Sequence, residues 1–236
     1  MKKRVLLFNP PPAVSEQPII RNLFCSSVPK GKYLYPPYDL ISISGVLSDP
    51  DIEISAYDAM IRDRTAQDSL EYALKFKPGI LILQTTNLTF HTDQVVTRLI
   101  KEKTGCRVLG FGNNLYYSPE KALKENPWLD GILLDHMGPA PLCFVRGSAK
   151  DVPGLVTTDN SPGFDPFKNF ANPIEYSVPR HDLFEYDHYR LPQSKHAKVA
   201  HVTTSYSCPF PCEYCPASNF EYRLRRPASV LDELEK

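Results

Sequence analysis

Three cysteines stand close together late in the chain, in Ser207-Cys208-Pro209-Phe210-Pro211-Cys212-Glu213-Tyr214-Cys215. Thiols with three and then two residues between them can wrap one loop around a single metal centre, and thiolates are the soft ligands that iron-sulfur clusters prefer. A cluster that only carries electrons usually takes four cysteines, so three would leave one iron open to bind something else. Open coordination implies chemistry. Rival readings are a disulfide, a structural zinc site and a ferredoxin-like site. Zinc needs a fourth ligand, and His201 lies seven residues before Cys208, outside the usual zinc-ligand spacing. A ferredoxin-like site wants a further cysteine at a short downstream spacing, and none follows Cys215. The remaining cysteines, Cys25, Cys106 and Cys143, read most simply as small buried apolar residues. Arg223, Arg225 and Arg226 follow the loop. Such a run either neutralises an anionic cofactor group or forms a solvated surface, and the surface reading is preferred here.

The elements that must position this loop are legible upstream. Val5 to Phe8, Ile52 to Tyr57, Ile80 to Leu83, Arg107 to Phe111 and Ile132 to Leu134 are short apolar runs, mostly β-branched or Leu, bounded by polar, Gly or Pro residues. They predict buried parallel strands. Between them Tyr38 to Leu47, Ala66 to Phe76 and Phe90 to Lys103 carry apolar residues at helical spacing. This alternation predicts an α/β fold with a doubly wound, flavodoxin-like or Rossmann-like parallel sheet over residues 1–150. From 151 to 197 prolines, glycines, Asn and Asp interrupt the pattern, while Phe164, Phe167, Phe170, Tyr176, Phe184, Tyr186 and Tyr189 suggest a linker that packs onto the domain. Lys198 to Thr204 then reads as one strand, the cysteine loop follows, and Pro227 opens a helix with Val230, Leu231 and Leu234 as its apolar face.

Composition narrows the function classes. Lys plus Arg and Asp plus Glu are 27 each, so no global field points to nucleic acid or an acidic membrane. The basic start Met1-Lys2-Lys3-Arg4 precedes only four apolar residues before Asn9 and a proline triplet, too short for a signal peptide or a membrane span. The expected compartment is cytoplasmic, where clustered thiols are more often metal ligands or catalytic groups than disulfides. Proline is the outlier, with 23 residues, about twice the usual ~5%.

The cysteine loop resembles the Cys-x-x-x-Cys-x-aromatic-Cys signature of radical S-adenosylmethionine enzymes. The resemblance places Cys208, Cys212 and Cys215 as the ligands of a 4Fe-4S cluster and Tyr214 at the aromatic position near the adenine. In that family the open iron chelates S-adenosylmethionine, which is cleaved reductively to a 5′-deoxyadenosyl radical that abstracts hydrogen from substrate. A strand ending in Thr203-Thr204-Ser205 and the segment from Tyr222 to Glu235 look like the family's first barrel strand and the approach to its first barrel helix. Upstream, Arg4-Val5-Leu6-Leu7-Phe8-Asn9-Pro10-Pro11-Pro12, Ala56-Tyr57-Asp58-Ala59, Lys77 to Thr86, Leu109-Gly110-Phe111-Gly112 and Val178-Pro179-Arg180 to Leu191-Pro192 are similar, in order, to landmarks of the cobalamin-binding domain that precedes the barrel in one large class of the family.

Doubly wound sheets bind ligands at the carboxyl ends of their strands. Asn9, Asp58, Thr85, Asn87, Gly110 and Gly112, with Thr86 and Asn113, lie at such ends and are the expected cobalamin contacts, the glycines either admitting a corrin or merely shaping a turn. The Asp-x-His-x-x-Gly motif that supplies a lower axial histidine in some cobalamin proteins is absent after the first strand. Asp135-His136-Met137-Gly138 only partly matches it, after the fifth. The loop from Arg21 to Pro37 would line an entrance or pack on the surface. Residues 198–236 supply scarcely one strand-helix unit of a TIM-type barrel, where a full barrel takes about 250 residues. The chain is therefore expected to be the front fragment of a longer enzyme, inactive alone, whose parent is a methyltransferase acting on an unactivated carbon or phosphorus centre. A small-molecule substrate and an electron donor such as flavodoxin or ferredoxin are the expected partners. The other classes are a cobalamin-binding sensor with a vestigial cysteine loop, and a zinc-stabilised interaction protein.

Overall fold

Each apolar run becomes a strand. Among the described residues, β1 (Lys3–Asn9), β2 (Ile52–Asp58), β3 (Ile80–Gln84), β4 (Arg107–Phe111) and β5 (Gly131–Leu133) pair in parallel, in the order β2-β1-β3-β4-β5. A short sixth strand, β6 (Leu155–Val156), adds to β5 antiparallel, so the sheet continues into the proline-rich stretch. The computed structural model describes residues 2–12, 18–21, 27–29, 33–61, 64–148, 150–159, 172–191, 194–196 and 198–236. Cys25, part of the loop from 21 to 37, and the linker aromatics Phe164, Phe167 and Phe170 lie outside them.

The helices form where the periodicity places them. α1 (Tyr38–Val46), α2 (Ala66–Phe76) and α3 (Phe90–Thr104) fill the crossovers. A capping box between Thr65 and Asp68 starts α2, and Gly105 in the left-handed conformation stops α3. Three further helices, α4 (Asn113–Tyr116), α5 (Pro119–Glu125) and α6 (Ala140–Arg146), are too short to show a period in the sequence. α1 packs with α6 and α2 with α3, so both faces of the sheet are covered. That cover is why every residue of β3 is buried.

The order reverses between β1 and β3, where diverging loops leave a crevice at the carboxyl ends. In this chain Arg21 enters it. Its guanidinium donates to Asn9 Oδ1 at 3.0 Å and to the Pro10 carbonyl at 2.9 Å, and pairs with Asp93 of α3 at 2.6 Å, with both side chains removed from solvent. One strand along, β4 leaves the sheet through Gly112 at φ +147°, where any Cβ would overlap the Thr85 carbonyl oxygen.

The described part of the linker wraps onto α1. The Arg180 amide donates to Ser44 Oγ at 2.9 Å, and Gly45 has no Cβ because the Ser177 carbonyl takes that space. Phe184 and Tyr189 are buried.

Two expectations for the last segment need correction. Residues 198–204 form no strand. The pairing begins one residue later, as a two-residue hairpin stem of β7 (Ser205–Tyr206) antiparallel to β8 (Arg223–Leu224). Among the described residues no strand runs beside 198–204, and an extended segment without a ladder is not held as a strand. The final helix, α7 (Pro227–Leu234), opens at Pro227 as expected, but it buries Glu233 and leaves Leu231 57% and Leu234 64% exposed. Glu233 is drawn inward because Arg225 and His181 both meet its carboxylate there.

Gly112→Ala is expected to lower stability by more than about 1 kcal/mol, because alanine is strained at positive φ. The readout is a lower denaturant midpoint at unchanged slope, and an unaltered midpoint would rule out the close approach of β4 to Thr85. Arg21→Ala strands the Asp93 carboxylate in the interior and is expected to cost about 3–5 kcal/mol. A loss well under 1 kcal/mol in the same measurement would show that the pair is hydrated.

Candidate functional site

The three cysteines occupy the tip of the β7–β8 hairpin, each half-buried. Backbone turns and two serines give the tip its shape. Ser207, at φ +68°, sets its hydroxyl 2.7 Å from the Ala217 carbonyl and 2.9 Å from that of Phe220. The Ser218 hydroxyl does the same for the Cys215 and Cys212 carbonyls, at 2.6 and 3.1 Å. The amides of Cys215 and Ser218 close successive turns onto the Cys212 and Cys215 carbonyls. Tyr214 is 91% exposed, with its ring free to lie against a planar ligand.

Among the described residues no three His, Cys, Asp or Glu side chains converge as a ready-made metal group. The donor set nevertheless suits a soft centre, being three partly exposed thiols on one loop whose carbonyls are tied by Ser207 and Ser218. His201 packs against Tyr35 and Tyr38, where burial lowers its pKa.

The base of the hairpin is seated on the carboxyl edge of β4 and β5. Phe220 packs edge-on against Tyr116 of α4 and against Tyr206, and Tyr206 packs edge-on against His136. His136 stacks on Phe111 with centroids 5.2 Å apart, and its Nε2 lies 3.3 Å from an Asp39 carboxylate that also accepts from Gln84. Arg223 passes 4.8 Å from the Tyr206 ring centroid and meets both oxygens of Asp135, at 3.0 and 3.1 Å. Burial pushes the Tyr206 and Tyr116 hydroxyls far above their ordinary pKa, so both stay neutral.

Arg223 and Arg225 are therefore not a solvated surface. Arg225 pairs with Glu233, donates to the Thr203 carbonyl at 2.9 Å and lies over the Tyr176 ring. Of the three, only Arg226 is exposed, paired with Glu175. Burial alone would raise the Glu233 pKa, but the bonds from His181 and Arg225 outweigh it and hold the carboxyl below its usual value.

The expected cofactor contacts fall into two groups. Asn9 and Asp58 are turned inward. Asn9 donates to Asp58 at 2.8 Å, and Asp58 also accepts from the Met60 amide and, at 2.9 Å, from Tyr189 of the linker. Burial raises the Asp58 pKa against these bonds and the nearby Arg21 charge. Gly110 makes room for Leu129 and Leu115, and Gly112 for the Thr85 carbonyl, so the space their missing Cβ atoms leave is filled by this chain's own atoms.

The second group lies beyond the ends of β3 and β4, with Thr85 and Thr86 buried, Asn113 partly so and Asn87 open to solvent. Asn87 is exposed and lines an open pocket of about 300 Å³ with Phe90, His91, Asn114, Leu115 and Asn126, at the carboxyl ends of β3 and β4. Near it the Thr85 hydroxyl and the Asn113 and Asn114 side-chain carbonyls are buried without hydrogen-bond partners. Acceptors left without partners suit a ligand bearing N–H donors, and the amide-fringed corrin of cobalamin offers many. Sequence reasoning missed Asn114, and it named Asp135, Arg223 and Arg225 without the burial and pairing they show. Their signals were the second Asn after Gly112 and the inward-outward-inward alternation of Arg223-Leu224-Arg225.

No protein-family model matches the sequence, and no curated protein matches it. Solved structures do. The chain is similar to TsrM from Kitasatospora setae, a radical S-adenosylmethionine methyltransferase solved with cobalamin and a 4Fe-4S cluster bound, at TM-score 0.58 and 17% identity over 100% of this chain and 45% of that one. It is also similar to OxsB, a cobalamin-dependent S-adenosylmethionine radical enzyme solved with aqua-cobalamin and S-adenosylmethionine bound, at TM-score 0.60 and 17% identity over 99% of this chain and 31% of that one. The chain thus spans less than half the length of each, and what it shares with the N-terminal region of these cobalamin-dependent radical enzymes is their fold.

Proposed function

We propose that this chain is the front part of a cobalamin-dependent radical S-adenosylmethionine enzyme, with a methyltransferase as its parent. The observation that carries the reading is the seating of a three-cysteine, one-tyrosine hairpin on the carboxyl edge of a doubly wound sheet, beside a pocket lined by Asn87 and Asn114. No helix among the described residues is long and apolar enough to cross a membrane.

In this reading the thiolates of Cys208, Cys212 and Cys215 would hold a 4Fe-4S cluster. When bound, the cluster supplies the electron that cleaves S-adenosylmethionine, and cobalamin supplies a carrier for the methyl group. The chain's own residues do the positioning. Tyr214 offers an open aromatic face to the adenine. Tyr206, Phe220 and Tyr116 form an apolar floor beneath the loop that keeps water from its base. Asn87 and Asn114, which line the pocket, are the side chains offered to the corrin amides. The small-molecule substrate and an electron donor of the flavodoxin or ferredoxin kind would meet the outer side of the loop.

Anaerobic reconstitution of the chain with iron and sulfide is expected to give roughly four irons and four acid-labile sulfides per chain. The accompanying broad visible absorption should be lost in Cys212→Ala. Bound zinc without acid-labile sulfide would replace this reading with that of a zinc-stabilised protein. Cobalamin titrated into the chain should bind, and Asn87→Ala with Asn114→Ala should weaken it several-fold to about tenfold per lost hydrogen bond. Equal affinity in the double variant would move the corrin away from this pocket.

A further inference from the structure

We infer that Asp135 and Arg223 are positioning residues, a buried fork that fixes the register of the cysteine hairpin against the sheet. This rests on the reading of the hairpin as a cluster loop. Three features carry it.

The pair joins distant parts of the chain, the end of β5 and the strand on which the hairpin returns, and does so through two parallel contacts at 3.0 and 3.1 Å. A guanidinium held by both carboxylate oxygens is constrained in direction as well as distance, which a single contact or a lysine would not achieve. The pair is also out of water, with side chains 1% and 5% exposed. Burying two charges is a poor route to stability, because an apolar pair of the same volume usually does as well. What the ion pair adds is a unique orientation. Finally, the fork acts on both ends of the loop at once, since Arg223 lies beside the Tyr206 ring and is paired in register with Tyr206 across the hairpin.

The geometry ties this fork to the pocket through α4. Tyr116 on that helix packs against Phe220 at the hairpin's base, while Asn114 and Leu115 of the same helix line the pocket beside Asn87. The hairpin and the pocket thus share one wall, and the orientation Asp135 gives Arg223 sets how the cysteines face the acceptor-lined side of the sheet.

The test is hydrogen-deuterium exchange on the metal-free chain, comparing wild type with Asp135→Asn and with the double variant Asp135→Leu, Arg223→Met. The double variant removes both charges together and so leaves none uncompensated if the single variant fails to fold. A positioning role predicts at least tenfold faster exchange at the Ile174, Leu224 and Arg225 amides, whose bonds tie the returning strand of the hairpin to its neighbours, with β1, β3 and β4 as protected as in wild type. Hairpin amides that stay protected in the double variant would overturn the inference. So would parallel loss of protection throughout the sheet, which marks a merely structural pair. Because exchange is read without metal, failure here is distinct from failure of the cluster reading, which shows in iron uptake.

Discussion

Among the described residues three guanidinium groups sit out of water, and each is met by a carboxylate: Arg21 by Asp93, Arg223 by Asp135 and Arg225 by Glu233. A charge in the interior must be paired, so each arginine constrains the backbone that carries it to lie where its partner is. All three arginines lie outside the α/β core, and two of the carboxylates come from it. Arg21 draws the segment after β1 into the switch crevice, and Arg223 draws the cysteine hairpin onto the end of β5. Arg225 instead knits the hairpin to α7, whose Glu233 also bonds His181 of the linker. Two of these pairs join a peripheral segment to the α/β core and the third joins peripheral segments to one another, and Arg223 and Arg225 also lie over the rings of Tyr206 and Tyr176.

That arrangement redistributes the carboxyl edge of the sheet. A parallel sheet exposes strand ends there, and ligands ordinarily gather at the reversal of strand order. Here, among the described residues, Arg21 occupies that point and bonds Asn9, while Asp58 accepts from Asn9 and Tyr189. The open polar surface lies one strand further along, where Asn87, Asn113 and Asn114 follow β3 and β4.

The cysteine hairpin has its own logic. Its tip is built from turns and two serines, while its base is an aromatic layer of Tyr206, Phe220, Tyr116 and His136 pressed on the sheet edge. A loop stiffened this way can present three thiols and one exposed tyrosine. α7, by contrast, buries an acid and shows Leu231 and Leu234 to solvent, because the paired charges of Arg225 and Glu233 outcompete a two-leucine stripe for the inner face.

The sequence by itself determined the parallel strands and the three long helices, because β-branched runs and 3.6-residue spacing are local signals that burial on both sheet faces then reinforces. It also placed the three cysteines and Tyr214 on one loop, since that spacing is covalent. It did not reveal that Asn9 and Asp58 bond each other, that Gly110 and Gly112 yield their space to Leu129 and Thr85, or that Arg223 and Arg225 are buried. Most of those outcomes depend on partners distant in sequence, such as the 88 positions between Asp135 and Arg223 or the 49 between Asn9 and Asp58. Only the folded chain brings such groups within hydrogen-bond range, so which polar atoms are spent on the fold and which remain for a ligand was decided by tertiary structure alone.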